Sequence, residues 1–309
     1  KRRSYIRSHD HTDGVSESKE TCIHEAHHHG PMNYTGGKFK ILDRIIPLFP
    51  EGIDHFVDLF AGGLNVGINV KANTIFANDQ INYLCELYTY FKNIDTAELL
   101  SNIKKRIRHF NLSQDNSEGY IALRTEYNRN RSILDLFLLS CYSFNHQIRF
   151  NNKHDFNTPF GKNRSSYNES IEKNLVNFCT ELQKKSIIFS TLDYREFGFD
   201  QLSTNDVVYC DPPYLISTGS YNDGKRGFKD WTEKEDEDLL RILDMLNKRH
   251  ILFFLSNVFE HKGMKNENLI KWSKKYNVIY IDKMYSNCSY HFKDRDTKTV
   301  EVLITNLSK

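Results

Sequence analysis

The stretch His55-Phe56-Val57-Asp58-Leu59-Phe60-Ala61-Gly62-Gly63 runs from a short apolar segment into a glycine turn. A brief apolar run that ends on glycines reads as a strand buried on both faces, as in a parallel sheet. The next strand signal covers residues 74–78, and a helix follows over about 81–93, with Leu84, Cys85, Leu87, Tyr88 and Phe91 along one side. Strand, glycine turn, crossover and second strand together open an α/β sheet. Upstream, Phe39, Ile41, Leu42, Ile45, Ile46 and Leu48 recur at helical spacing until Pro50 stops the run.

Downstream the sheet pattern pauses. Residues 97–110, 120–128 and 133–144 read as helices, and 149–167 as a polar, turn-rich stretch. Strand signals resume at 187–190, 207–210, 251–255, 278–281 and 299–305, which makes seven strands in all. A helix over about 235–248 begins with Thr232 and Glu235 in capping-box spacing and turns Leu239, Leu240, Ile242, Leu243 and Leu246 inward. No helix signal separates the last two strands, which favours an antiparallel edge pair. The expected fold class is therefore α/β: a doubly wound, mostly parallel seven-stranded sheet with a helical insertion. The boundaries fall at a leader over 1–31, a first α/β part over 32–94, the insertion over 95–180 and a second α/β part over 181–309.

Composition narrows the function classes. The net charge of +2 spreads over many cations and anions, so any nucleic-acid affinity must come from cations gathered on one face. No apolar run is long enough to span a bilayer, and no secretory pattern opens the chain. The six cysteines lack CxxC spacing, which reads as free thiols in a cytoplasm-like compartment and no zinc. The leader, with His27, His28 and His29, reads as an unstructured segment rather than a metal site.

Two motifs carry chemistry. Asp211-Pro212-Pro213-Tyr214 follows the apolar strand 207–210 directly, and strand carboxyl ends are where open α/β sheets bind ligands. The prolines fix the backbone and remove two N–H donors. What is left is a rigid pair of acceptors, the Asp211 carboxylate and the Pro212 carbonyl, beside an aromatic face. Such a pair suits the two N–H protons of an amino group on a planar base, whose nitrogen can then attack a sulfonium methyl in line. The competing reading is a strand-ending proline turn with an incidental aspartate. The second motif is the turn 58–63 with Asp79 closing the next strand, where an acid can accept from ribose hydroxyls. It is neither GxGxxG nor a GK[ST] phosphate loop, which argues against NAD and ATP.

These segments bring in a resemblance. Asn33-Tyr34-Thr35-Gly36-Gly37-Lys38, Phe56-Val57-Asp58-Leu59-Phe60-Ala61-Gly62-Gly63, Asn78-Asp79, the stretch from Arg149-Phe150-Asn151 to Asn157-Thr158-Pro159-Phe160-Gly161-Lys162, and Asp211-Pro212-Pro213-Tyr214 occur in the order seen in the Dam-type (D12 class) adenine-N6-specific DNA methyltransferases. The chain resembles that family over roughly residues 32–306. The resemblance implies a class I methyltransferase-like sheet, S-adenosyl-L-methionine as cofactor, and transfer to adenine N6 of a flipped base in double-stranded DNA. It places Tyr34 and Lys38 at the methionine portion of the cofactor, Asp58, Phe60 and Gly62 in the loop beneath it, and Asp79 at its ribose. It places Asp193 near the cofactor adenine and Leu255-Ser256-Asn257 in the catalytic pocket. Asp211, Pro212 and Tyr214 become the catalytic group, with no metal.

By the same resemblance the insertion is the target recognition domain. Arg149 corresponds to an arginine that reads guanine, Phe144 to an aromatic that wedges into the duplex, and Asn157 and Pro159 to DNA-facing signature positions. Lys104, Lys105, Arg106, Arg108, Arg124, Arg129, Arg131, Lys162 and Arg164 are candidate phosphate contacts. A companion restriction endonuclease and a cytoplasmic setting in a bacterium or phage host are also implied. Asn33, His146 and Gln147 depart from the pattern of GATC-methylating relatives, so GATC and another recognition sequence both stay open. Two rival readings also stand: cytosine-N4 methylation by the same chemistry, and a catalytically silent DNA-binding specificity module. Cytosine-C5 methylation needs an exposed nucleophilic cysteine, and Cys210 falls inside a buried strand.

Overall fold

The computed structural model describes residues 27–32, 37–216, 231–281 and 299–308. Its strands are β1 (Ile53–Asp58), β2 (Ala72–Asn78), β3 (Ile187–Ser190), β4 (Val207–Cys210), β5 (Leu252–His261), β6 (Met264–Lys265), β7 (Asn277–Tyr280) and β8 (Thr299–Thr305). They form one sheet in the order β3-β2-β1-β4-β5-β8-β7, with β6 attached to β5 as a short hairpin. The pairs from β3 through β5 are parallel, and β8 runs antiparallel to both β5 and β7. The order reverses between β1 and β4, which makes the carboxyl ends of those two strands the topological switch point.

The doubly wound α/β expectation holds, and the differences have physical causes. The last two strands pair antiparallel as expected, but β8 lies between β5 and β7, so only β7 is at the edge. Val302, Leu303, Ile304 and Thr305 are completely buried, which requires a neighbour on each side, whereas β7 is only half covered. β5 runs past β4 and pairs with β8 as far as His261. Lys262 and Gly263, at φ 50° and 81°, then turn it into β6 with the geometry of a two-residue hairpin loop.

The helices are α1 (Leu42–Ile45), α2 (Asn82–Asn93), α3 (Thr96–His109), α4 (Ser117–Asn130), α5 (Ile133–Tyr142), α6 (Glu169–Lys184), α7 (Glu233–Lys248) and α8 (Glu267–Ser273). The helical run expected over 38–49 is broken into α1 and two flanking 3-10 turns. Pro47 supplies no N–H, so a continuous helix cannot form there. The Thr232 and Glu235 capping box is present at the start of α7. The helix α6 has no counterpart in the sequence reading. Its start is set by Asn168, whose side chain accepts from the Ile171 N–H, and Leu175, Phe178, Cys179 and Leu182 form its buried stripe.

Strand alternation sends Phe56, Tyr209 and Phe254 to one face of the sheet and Val57, Val208, Cys210 and Phe253 to the other. The first face is covered by α2–α6 and the second by α7 and α8. The helices of the insertion thus bury side chains in the same apolar cluster as the sheet. Within them Arg106 forks onto Asp135, whose side chain is fully buried, at 2.8 and 2.6 Å. Among the described residues no helix is long and apolar enough to cross a membrane.

The leader expected over 1–31 is described only from His27, and that part is held in place. The Gly30 N–H donates to Asn65 Oδ1 at 3.1 Å, the His28 N–H donates to Asn69 Oδ1 at 2.8 Å, and the His27 ring lies 2.9 Å from Asp43. Backbone donors of the segment thus find side-chain acceptors beside the glycine turn.

Candidate active site

At the switch point, β1 ends in Asp58 and β4 in Cys210, with Asp58 in register with Tyr209 on one side and Ala77 of β2 on the other. Leu59 donates its N–H to the Tyr209 carbonyl (3.0 Å) and Ala61 to that of Asn78 (2.8 Å), so the glycine turn is tied to both neighbouring strands. Gly62 adopts φ 45°, a conformation glycine reaches without strain, and directs its N–H to Asp79 Oδ2 at 2.7 Å. Asp79 Oδ1 accepts the Ile81 N–H at 2.9 Å. Gly67 donates to Asp58 Oδ2 at 3.0 Å, and a Cβ at Gly67 would stand 2.9 Å from that oxygen. Asn78 fastens the ends of three strands. Its amide donates to the Leu59 and Leu192 carbonyls, and its oxygen accepts from the Ser190 hydroxyl and the Leu192 N–H.

Asp211 is reached from two sides. Lys38 Nζ lies 2.7 Å from Oδ2, and the Tyr214 hydroxyl donates to Oδ1 at 2.9 Å. Burial opposes the Lys38 charge, but Asp211 and the neighbouring tyrosines outweigh it and hold the ammonium well above its ordinary value. The Tyr214 phenol is pushed up by burial and by the Asp211 charge.

Lys38, Asp58, Phe60, Gly62, Asp79, Asp193, Asp211, Pro212 and Tyr214 all line one cleft. Tyr34 lies outside the described residues. Burial raises Asp58 to about 7, against the Gly67 N–H and with help from Asp211 and Asp79. Burial likewise raises Asp79 to about 6, although two N–H donors pull the other way. Acids held this way favour a cationic ligand, which would compensate their charge. Ser256 is buried on β5 beside Tyr214, with Asn257 next to it.

Asp193 is held chiefly by Arg195 of its own loop. Its carboxylate accepts from the Arg195 guanidinium at 2.8 and 2.7 Å and from the Arg195 N–H at 3.0 Å, and that guanidinium holds it far below the ordinary carboxylate range. Further lining residues escaped the sequence reading. Tyr194 and Trp231 pack with Phe60 at ring separations of 5.4 to 5.6 Å and close one end of the cleft in aromatic surface. Arg195 and Tyr209 also line it. Trp231 directly precedes the capping box of α7, a cue read from the sequence only as a helix start.

A second group of predicted residues gathers elsewhere. Isolated bridges join Ser143 to Phe160 and Phe150 to Phe156. Phe144 donates to the Pro159 carbonyl (2.8 Å), and Asn157 donates to that of Arg149 (3.0 Å). This pairing buries Phe150, Phe156 and Thr158 and leaves Phe144, Arg149, Asn157 and Pro159 exposed together. The Arg164 guanidinium lies over the Phe144 ring, 5.1 Å from its centroid. Other candidate phosphate contacts are tied to carboxylates: Arg106 to Asp135, Lys104 to Glu172, Arg129 to Glu126 and Arg131 to Asp155. Arg106 is thereby removed from that role, because releasing it would strand a buried charge.

Comparison with known proteins follows the same lines. The chain is 50% identical over 276 residues to the type II methyltransferase M.FokI of Planomicrobium okeanokoites, covering 89% of this chain and 42% of that protein. It is 48% identical over 278 residues to the modification methylase StsI of Streptococcus sanguinis, with 89% and 42% covered. It is 28% identical over 235 residues to the DNA adenine methylase of Escherichia coli K12, with 73% and 79% covered. The chain thus spans less than half the length of the first two relatives. The sequence model of the D12 class N6 adenine-specific DNA methyltransferases matches residues 34–287, and the chain belongs to that family.

Proposed function

We propose that this chain transfers a methyl group from S-adenosyl-L-methionine to the N6 amino group of an adenine flipped out of double-stranded DNA. The observation that carries the reading is the convergence of Asp211, Pro212 and Tyr214 with Asp58 and Asp79 in one cleft at the switch point. The cofactor, when bound, supplies an electrophilic methyl on a sulfonium. The cleft suits it: buried carboxylates at Asp58 and Asp79 match its positive charges, and Phe60, Tyr194 and Trp231 offer an apolar wall for its adenine ring. Asp79 presents its carboxylate to ribose hydroxyls, and Lys38 serves the acidic end.

The chain's own residues prepare the substrate amine. Asp211 and the Pro212 carbonyl accept its two N–H protons, and Tyr214 offers a face for stacking. Those bonds hold the nitrogen lone pair toward the methyl donor, so catalysis comes from positioning and electrostatics. Tyr214 and Lys38 occupy the Asp211 oxygens in the structure, so the entering amine takes over from at least one of them.

Residues 95–180 act as the target recognition domain in this reading. The exposed cluster of Phe144, Arg149, Asn157 and Pro159 faces DNA, with Arg149 reading a guanine edge and Phe144 filling the gap left by the flipped base. The M.FokI and StsI resemblance supports a restriction-modification role with a companion endonuclease, in the cytoplasm of a bacterial or phage-infected cell.

The test uses methyl-tritiated S-adenosyl-L-methionine and genomic DNA free of modified bases. After digestion to nucleosides, label is expected in N6-methyladenine. Label in N4-methylcytosine, or DNA binding without transfer, would refute the assignment.

A further inference from the structure

The glycine turn of the cleft is strained and has to be held. Gly62 and Gly63 are followed by Leu64, whose φ of 56° lies in the left-handed region that a bulky side chain rarely adopts. Such a conformation persists only where its surroundings fix it. Leu64 donates its N–H to the Ala61 carbonyl at 2.6 Å, and the Tyr88 hydroxyl donates to the Gly62 carbonyl at 2.9 Å. A further hold comes from residues 28–30. These precede the family match, which begins at residue 34, and the sequence pattern assigns them to an unstructured leader.

Gly30 is buried against the turn. Its N–H donates to Asn65 Oδ1 at 3.1 Å, and a Cβ at Gly30 would collide with the Gly63 carbonyl. Only glycine allows so close an approach. Further along the same segment, Asn69 clamps His28 by both backbone groups. Its Oδ1 accepts the His28 N–H at 2.8 Å, and its amide donates to the His28 carbonyl at 2.9 Å and to the Asn65 carbonyl at 2.7 Å. The two asparagines thus pin the 28–30 backbone to the segment that carries the turn. Gly63 and Asn65 line the cleft, whereas Gly30 and Asn69 do not. The same strip is anchored at two other points. The His29 ring meets Phe39 edge-on at 4.4 Å, next to the cleft residue Lys38, and the buried Met32 sulfur accepts from the Ser140 hydroxyl of α5 at 3.5 Å.

We propose that residues 28–30 brace the cofactor turn, with Gly30 and Asn69 as positioning residues that keep the turn in its ligand-ready shape before the cofactor arrives. The proposal rests on the methyltransferase reading above, since it needs S-adenosyl-L-methionine in this cleft. A turn that is already fixed costs a ligand little to order, so the brace acts on cofactor affinity. Neither residue lines the cleft, so the brace does not enter the chemical step.

The test is Gly30→Ala and Asn69→Ala, singly and together, in the full chain. Three measurements read it: S-adenosyl-L-methionine affinity by calorimetry, turnover on unmodified genomic DNA at saturating cofactor, and thermal melting without ligand. Gly30→Ala either displaces the Gly63 carbonyl or lifts residues 28–30 away, and Asn69→Ala removes the clamp without adding bulk. Each should weaken cofactor binding by about 5- to 20-fold, the scale of one or two hydrogen bonds, with turnover at saturation within about threefold of wild type. Because both act through one brace, the double variant should bind within about twofold of the weaker single variant. Cofactor affinity within twofold of wild type in both single variants overturns the proposal. So do losses that multiply in the double variant, which would make the two residues independent. A fall in turnover at saturation that tracks a fall in melting temperature also overturns it, by making the segment merely structural. Should Gly30→Ala fail to fold, the affinity of Asn69→Ala decides alone. Wild-type protein that binds no S-adenosyl-L-methionine overturns the methyltransferase reading and this proposal with it.

Discussion

Lys38 Nζ and Asp211 Oδ2 stand 2.7 Å apart, the lysine from the segment that precedes the first helical turn and the aspartate from the end of the fourth strand. The pair lines the cleft together with the glycine turn. Because both side chains are largely buried, it couples catalytic readiness to stability.

Asp211→Ala is expected to abolish methyl transfer and also to destabilise the protein by about 3 kcal/mol, since it leaves the Lys38 ammonium buried without its counter-ion. The double variant Lys38→Met with Asp211→Ala should regain most of that stability and none of the activity. Denaturant melts and label transfer measure the two effects separately. A single variant as stable as wild type would show that the pair carries no structural energy.

Cofactor affinity should depend on pH through Asp58 and Asp79, raised by burial to about 7 and about 6. A bound cation favours their ionised forms, so affinity rises as pH climbs through these values. It should weaken by about tenfold between about pH 8 and pH 6. Stability of the ligand-free protein runs the other way. Acids raised above their ordinary value stabilise most at low pH, and that contribution is lost progressively as pH rises from the ordinary value of 3.8 to about 6 and about 7. The melting-temperature gain on adding cofactor should therefore grow with pH, and a flat profile from calorimetry would contradict both assignments.

Arg149→Ala should leave folding within about 0.5 kcal/mol of wild type, because the side chain is exposed and only its backbone is tied into the bridge. Specific DNA binding should weaken by about 1–3 kcal/mol, with relaxed preference at one base pair. Sequencing of methylated sites made by the variant would reveal the change, and an identical site profile would remove Arg149 from the reading surface.

Arg106→Ala should behave in the opposite manner. It strands the fully buried Asp135, so a stability loss of about 3–5 kcal/mol is expected, with the salt dependence of DNA binding unchanged in whatever protein remains folded. A reduced salt slope would return Arg106 to the phosphate-contacting set.

Much of the fold was legible because strands and helices write their period into the sequence. The apolar run into Gly62 and the run into Asp211 each end at a strand terminus, and in an open α/β sheet such termini share one edge. Asp58, Asp79 and Asp211 could thus be placed at strand carboxyl ends from spacing and order, and the family resemblance joined them in one site. The helix α6 was overlooked because a polar stretch before it hid the Asn168 cap. The split of the first helix turned on one missing N–H at Pro47.

The sequence alone determined the strand and helix pattern of a doubly wound α/β sheet and the acids and prolines at its strand ends, since local periodicity and turn chemistry act over a few residues. Only the tertiary structure decided the partners of those groups. Lys38 on Asp211 and Arg106 on Asp135 depend on side chains meeting across distant segments, and burial there sets which charges must be paired.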